Sequence, residues 1–157
     1  MGLKVMFRNP FLDIRFSVLL ICLIGFLVFP CLIFADEECP QARKTRSAPV
    51  KFLNMNNPIP PSATNLKAGK VLYQGKATPI ACNTCHGING DGNGDPDFQS
   101  HPSARNFTCK KTMELLPDGQ LFWVIKNGSK NTSMFAFSDL SDKQVWQLIH
   151  YIRQFSN

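Results

Sequence analysis

The sharpest periodicity in the chain lies near its C-terminal end. Val145, Leu148, Ile149, Ile152 and Phe155 recur at i, i+3, i+4, i+7 and i+10, one helical face, with Trp146 and Tyr151 at its margins. Ser141 stands where an N-cap belongs. Lys143, Gln147, His150 and Gln154 fall opposite the stripe, so that face, His150 included, is expected in solvent. A second helix is predicted from Ser62 or Thr64 to about Gln74. Leu66, Gly69, Val71, Leu72 and Tyr73 are its apolar or small positions, and Gly75 is its terminator. A third, Gly119 to Lys126, carries Leu121, Phe122, Val124 and Ile125 behind a cap at Asp118, and Asn127-Gly128 closes it. Between these helices, Gly87 to Phe107 holds Gly87, Gly90, Gly92, Gly94, Pro96 and Pro102, the mark of a long irregular loop. Loops of that length are uncommon in a compact domain unless they wrap something. Asp36 to Pro61, with Pro40, Pro49, Pro58, Pro60 and Pro61, is expected to run extended.

The N-terminal end follows a different rule. Lys4, Arg8 and Arg15 precede an apolar run from Phe16 to Phe29 broken only by Ser17 and Gly25, and Pro30 precedes a peptidase site after Ala35. Residues 1–35 therefore read as an export signal. Uncleaved, the 20 residues from Phe16 to Ala35 are long enough to anchor the chain in a bilayer. Cys31 follows the bulky Phe29-Pro30, which disfavours a lipoprotein signal. Either outcome places the rest of the chain outside the cytoplasm, in a periplasmic or equivalent compartment where thiols oxidise. The whole chain has 157 residues and a formal charge of +6. After a cut at Ala35, 122 residues remain with 14 Lys and Arg against 10 Asp and Glu. That is one domain, organised as an extended segment, 36–61, and a folded region, 62–157. The charge surplus is too small and scattered for nucleic acid. Arg43, Lys44 and Arg46 form a small basic cluster that reads as solvated, with a docking surface as the alternative.

The chemistry concentrates in Cys82-Asn83-Thr84-Cys85-His86. Two thiols separated by two residues can be presented by one helical turn to the two vinyl groups on one porphyrin edge, with the next imidazole reaching the iron, so C-x-x-C-H reads as covalent haem c attachment. A structural zinc site would need two more Cys or His at suitable spacing, and no second C-x-x-C or H-x(3–5)-H occurs. A thioredoxin-like motif would need a preceding strand in a βαβ context, which these Gly- and Pro-rich flanks do not offer. With Cys82 and Cys85 assigned, Cys39 and Cys109 remain: either a disulfide or two separate thiols. The disulfide would close a loop of about 70 residues, which chain entropy values at roughly 4 kcal/mol.

An iron held by His86 takes a second axial ligand, and methionine suits an electron carrier by raising the potential. Met55 lies in the extended segment and is expected to be peripheral, whereas Met113 beside Leu115 and Leu116 reads as a core gap-filler. Met134 sits in a polar loop, Asn127-Gly128-Ser129-Lys130-Asn131-Thr132-Ser133-Met134, where core packing explains it poorly, and is the preferred ligand. His150 on a polar face and His101 in a Ser-His-Pro loop are poor candidates.

From 62 to 157 the chain resembles the class I cytochromes c of the bacterial monohaem type. The order of Cys82-x-x-Cys85-His86, the Asn127-Gly128 helix end, the Met134 loop and the aromatic C-terminal helix carries the resemblance. It implies an all-α cytochrome c fold whose first and last helices cross around one covalent haem. Gly69 and Tyr73 would then meet Leu148 and Tyr151 at the crossing. Cys39-Pro40-Gln41 and Arg105-Asn106-Phe107-Thr108-Cys109 resemble a subgroup with an N-terminal extension, which supports pairing Cys39 with Cys109. Phe135 departs from the proline that usually follows the axial methionine. The resemblance also implies a proline carbonyl, from Pro96 or Pro102, accepting the His86 N–H. The function it implies is electron transfer to and from redox protein partners, without catalysis. Lys67, Lys70, Lys76 and Lys130 are candidates for the surface around the haem edge. The alternatives are a haem c subunit fixed in a larger respiratory oxidoreductase complex, and a haem enzyme or ligand binder with an open distal site.

Overall fold

The computed structural model describes residues 39, 41, 45–75, 80–98 and 100–157, all within one compact unit, Glu37–Asn157. The export signal, Arg43, Lys44, Lys76 and Pro79 lie outside the described residues. Among the described residues the secondary structure is helical, without strands: α1 Val50–Leu53, α2 Ala63–Tyr73, α3 Cys82–His86, α4 Lys110–Met113, α5 Asp118–Asn127 and α6 Asp142–Arg153, then a 3₁₀ turn, Gln154–Ser156. The fold is the all-α architecture expected. None of the described helices is long and apolar enough to cross a membrane.

Local chemistry sets the helix ends. The Ser62 hydroxyl accepts the Asn65 N–H at 3.3 Å to start α2, and the chain leaves the helix through Gly75 at φ 84°. A reciprocal capping box starts α6: Ser141 Oγ accepts the Gln144 N–H and Gln144 Oε1 accepts the Ser141 N–H at 2.8 Å. α5 begins one residue earlier than the sequence suggests. Pro117 is its N-cap, and Asp118 does not cap, because Arg153 takes its carboxylate. The single turns α1 and α4 fall where no helix was expected. α1 interrupts the extended N-terminal segment, and Phe52 stacks on Phe122 of α5 with centroids 6.3 Å apart.

The crossing of α2 and α6 is the main contact between helices. Gly69 permits it: a Cβ there would lie 2.1 Å from the Gln147 carbonyl oxygen and 2.9 Å from Tyr151 Cβ. One turn on, Tyr73 packs edge-on against Tyr151 at 5.4 Å and beside Phe155 at 5.3 Å. The polar face of α6 is solvated only in part: Lys143 and Gln154 are exposed as its periodicity suggests, whereas Gln147 and His150 are covered. Gln147 is buried and donates to Asn65 Oδ1 at 3.0 Å, and His150 Nε2 lies 2.7 Å from the Ile59 carbonyl, so it donates there. Asn57 Nδ2 donates to the Trp146 carbonyl at 2.9 Å. Residues 57–65 thus cover that face, and polar side chains are needed there to satisfy the backbone groups laid across it.

Val145, Leu148 and Ile149 of α6 form the centre of the core with Tyr73 and Met113, all nearly without exposure. Met113 fills the core as its position predicts. Met55, expected to be peripheral, is half-buried against the core, because α1 turns the segment inward. Arg153, at the end of α6, ties this frame to the α4–α5 connection. Nε and Nη2 donate to Asp118 Oδ1 at 2.9 and 2.7 Å, Nη1 donates to the Met113 carbonyl, and Nη2 also reaches the Leu116 carbonyl.

Candidate haem site

α3 is a single turn, and its brevity is what places Cys82, Cys85 and His86 along one side of a pocket. The two cysteines are not bonded to each other. Burial is the main influence on both thiols, pushing Cys82 up to about 12 and raising Cys85. Both therefore stay protonated at neutral pH, unlike the low-pKa thiolate of a thioredoxin-like motif. Among the described residues no three His, Cys, Asp or Glu side chains converge as a metal site, so the pair lacks the further donors of a structural zinc.

His86 is fixed from two directions. Its ring stacks on Phe107 with centroids 4.4 Å apart and planes inclined by 16°, and its Nδ1 lies 3.0 Å from the Arg105 carbonyl. A carbonyl only accepts, so Nδ1 carries the proton and Nε2 keeps the lone pair that an iron would take. The acceptor is neither Pro96, which is exposed, nor Pro102, which stands in the pocket wall. The Gly-rich loop folds back through Gly92 N–H to the His86 carbonyl at 2.9 Å and Phe107 N–H to the Gly90 carbonyl at 2.6 Å, which brings residues 104–107 to the imidazole. Tyr73 donates to the Gly87 carbonyl at 2.7 Å, holding the end of α3 against α2.

Met134 enters the same pocket from a separate element. After Gly128, at φ 72°, the Ser129 N–H donates to the Met134 carbonyl at 2.8 Å and the Met134 N–H to Thr132 Oγ1 at 3.1 Å. Phe137 N–H returns to the Ile125 carbonyl at 2.9 Å, and Lys126 Nζ binds the Ser138 and Leu140 carbonyls at 3.0 and 2.7 Å. Ser129 and Thr132 are thus hydrogen-bonding partners within the loop that carries Met134. Phe135, where a proline is usual, is half-exposed at 45% and packs on Phe137, centroids 4.7 Å apart.

Val124 and Ile125 of α5 and Leu148 and Ile152 of α6 complete a pocket that is overwhelmingly apolar. Two thiols on one edge, an imidazole with its Nε2 lone pair, a thioether from another element and apolar walls form a donor set that fits a haem. Cys39 and Cys109 lie with their sulfurs 1.91 Å apart and Cα atoms 5.6 Å apart, within disulfide geometry. Lys67, Lys70 and Lys130 are exposed. Sequence reasoning missed Gln41, Thr45 and Gln120. Buried Gln120, in the otherwise apolar run of α5, was the one visible signal: it accepts from the Ala48 N–H at 2.7 Å and donates to the Arg46 carbonyl at 3.1 Å.

Fold and site together define a c-type cytochrome domain. The family model described as "Cytochrome C oxidase, cbb3-type, subunit III" matches residues 64–152, more than half of the chain, and the chain belongs to this cytochrome c family, whose domain transfers electrons through haem c. Among solved structures, a chain of the Kuenenia stuttgartiensis reducing HAO-like protein complex Kustc0457/Kustc0458 shares the fold at TM-score 0.52 and 23% identity. That similarity covers 74% of this chain and 53% of the other, so this chain spans about half of its structural neighbour. No curated protein matches significantly.

Proposed function

We propose that the protein is an extracytoplasmic electron-transfer protein carrying one haem c, bound through thioethers at Cys82 and Cys85, with His86 and Met134 as axial ligands. The observation that carries this reading is the convergence of His86, from α3, and Met134, from the loop after α5, on the apolar pocket that both cysteines border. When bound, the haem supplies a one-electron Fe(III)/Fe(II) couple. The chain's residues hold it, exclude water from it and close both axial positions. A closed distal face leaves no site for oxygen, peroxide or nitrite, so the protein exchanges electrons with redox partners and does not catalyse. The apolar run before Ala35 and the Cys39–Cys109 pair support a location outside the cytoplasm. Exposed Lys67, Lys70 and Lys130 suit docking to acidic partners, which ionic strength would weaken.

The test is direct. Mass spectrometry of the denatured protein should give the mass of residues 36–157, or of the full chain if the signal stays as a membrane tether, plus one haem. The ferric spectrum should contain the methionine-to-iron charge-transfer band, lost in Met134→Ala. Rapid carbon monoxide binding to the native reduced protein would instead favour a haem enzyme or ligand binder. A second reading follows from the family's printed name, a subunit of an oxidase: the domain would be fixed in a larger respiratory complex. Haem running at the size of one chain on native electrophoresis of a mild detergent extract would rule against it.

A further inference from the structure

The N-terminal strap, of which residues 39, 41 and 45–48 are described, makes specific contacts with the domain. It is anchored at one end by the Cys39–Cys109 sulfurs and at the other by Gln120, which holds Arg46 and Ala48. Between these anchors lie three hydrogen bonds to the segment that carries the His86 acceptor. Gln41 Nε2 donates to the Ala104 carbonyl at 3.1 Å, and Gln41 Oε1 accepts the Asn106 N–H at 2.9 Å. Thr45 Oγ1 accepts from Arg105 Nη2 at 2.6 Å.

The Asn106 N–H and the Arg105 carbonyl belong to the same peptide unit. His101-Pro102 is the cis peptide bond among the described residues, so the unit joining Arg105 to Asn106 is trans, and its N–H and C=O point in opposite directions from one rigid plane. Gln41 holds the plane by its N–H, and the carbonyl is thereby aimed at His86 Nδ1, 3.0 Å away. The three groups form a relay, Gln41 Oε1 to the peptide to the imidazole N–H, in which each bond polarises the next. We propose that Gln41 is a positioning residue for His86: it fixes and polarises the Arg105 carbonyl, and through it sets the basicity of the imidazole toward the iron. This rests on the haem reading above.

Stronger acceptance at Nδ1 gives the ring more imidazolate character, which stabilises Fe(III) over Fe(II). Gln41→Met keeps similar length and removes both amide contacts. The ferric-to-ferrous equilibrium should then shift toward Fe(II) by about threefold to tenfold, an upward move in potential at 59 mV per factor of ten for a one-electron couple. Asn57→Ala is the control: it deletes a comparable side-chain-to-backbone bond, to the Trp146 carbonyl, on the far side of α6.

The experiment measures the potential by spectroelectrochemistry and the exchange rate of the His86 ring N–H by NMR in the reduced protein, for the full mature chain, Gln41→Met and Asn57→Ala. An alkaline pyridine spectrum of the native protein first establishes covalent haem, and its absence overturns both this inference and the reading beneath it. With haem present, a raised potential and faster ring N–H exchange in Gln41→Met, both unchanged in Asn57→Ala, support the proposal. An unmoved potential, or equal shifts in both variants, overturns it while leaving the haem reading intact. If Gln41→Met does not fold, Gln41→Glu retains the acceptor for Asn106 and loses the donor to Ala104. A carboxylate accepts more strongly than an amide, so ring N–H exchange should slow by severalfold, and unchanged or faster exchange overturns the proposal.

Discussion

Gly69→Ala tests the helix crossing on which the pocket depends. A Cβ at this position would sit 2.1 Å from the Gln147 carbonyl oxygen, 2.7 Å from its carbonyl carbon and 2.9 Å from Tyr151 Cβ. The first two are backbone atoms in the middle of α6, so no side-chain rotation relieves them and the helices must separate. Overpacking commonly costs about 1–3 kcal/mol, and a clash with helical backbone belongs at the upper end. Alanine returns about 1 kcal/mol through its greater helix propensity. The net loss is about 2 kcal/mol, which for a domain of this size lowers Tm by roughly 6–12 °C. Lys70→Ala, exposed on the same helix, should stay within about 0.5 kcal/mol of the parent. The assay is thermal unfolding of the haem-loaded protein followed by far-ultraviolet circular dichroism. Because Leu148 and Ile152 of α6 line the pocket, the ferric charge-transfer band of Gly69→Ala should also weaken. A Tm within 2 °C of the parent, about the change expected for a surface substitution, would refute the close-approach argument.

Arg153→Met should cost about 2–4 kcal/mol in urea unfolding, since it leaves half-buried Asp118 and the Met113 and Leu116 carbonyls without their donor. Replacing Cys39 and Cys109 together by Ser should lower stability by about 4 kcal/mol, the chain-entropy value for a separation of 70 residues, and the denatured, unreduced parent cleaved after Ala35 should show no free thiol. Tyr73 gives a pH dependence. Burial raises its phenol well above the ordinary value of about 10, with further upward contributions from Tyr151 and Asp91. Above pH 10 the unfolded chain therefore releases a proton that the folded one keeps. Stability fully present below pH 10 should fall by about 1.4 kcal/mol per pH unit beyond it, and Tyr73→Phe should be less stable at pH 8 yet lack this contribution to the slope.

How far the sequence disclosed this fold depends on whether a feature is local. The cap at Ser141, the choice between Ser62 and Thr64 that the structure resolves as Ser62, and the glycine stops at Gly75 and Gly128 were legible because each works within a few residues of its own helix. The stripe of α6 was legible for the same reason. The single turns α1 and α4 are too short for any periodicity to register. Asp118 has the chemistry of a cap, and only Arg153, 35 positions away, explains why it does not act as one. Gln147 and His150 look solvated on a helical wheel, since a wheel assumes one buried side. The segment from Asn57 to Asn65 covers the other.

The candidate site divides along the same line. Cys82, Cys85, His86 and Met134 carry their chemistry in their side chains, so residue type and spacing suffice to nominate them. What orients His86 is a backbone carbonyl, and every residue has one. Nothing in the letter at position 105 distinguishes it from the letters at 96 or 102. The choice is made by the Gly90 and Gly92 hydrogen bonds that fold the loop, and by Gln41, which grips the far end of the same peptide from a strap more than 60 residues away in sequence. A proline acceptor is rigid by itself. An arginine carbonyl is not, so in this chain the burden of holding it passes to neighbours, and the N-terminal strap becomes part of the site that its sequence position would place outside.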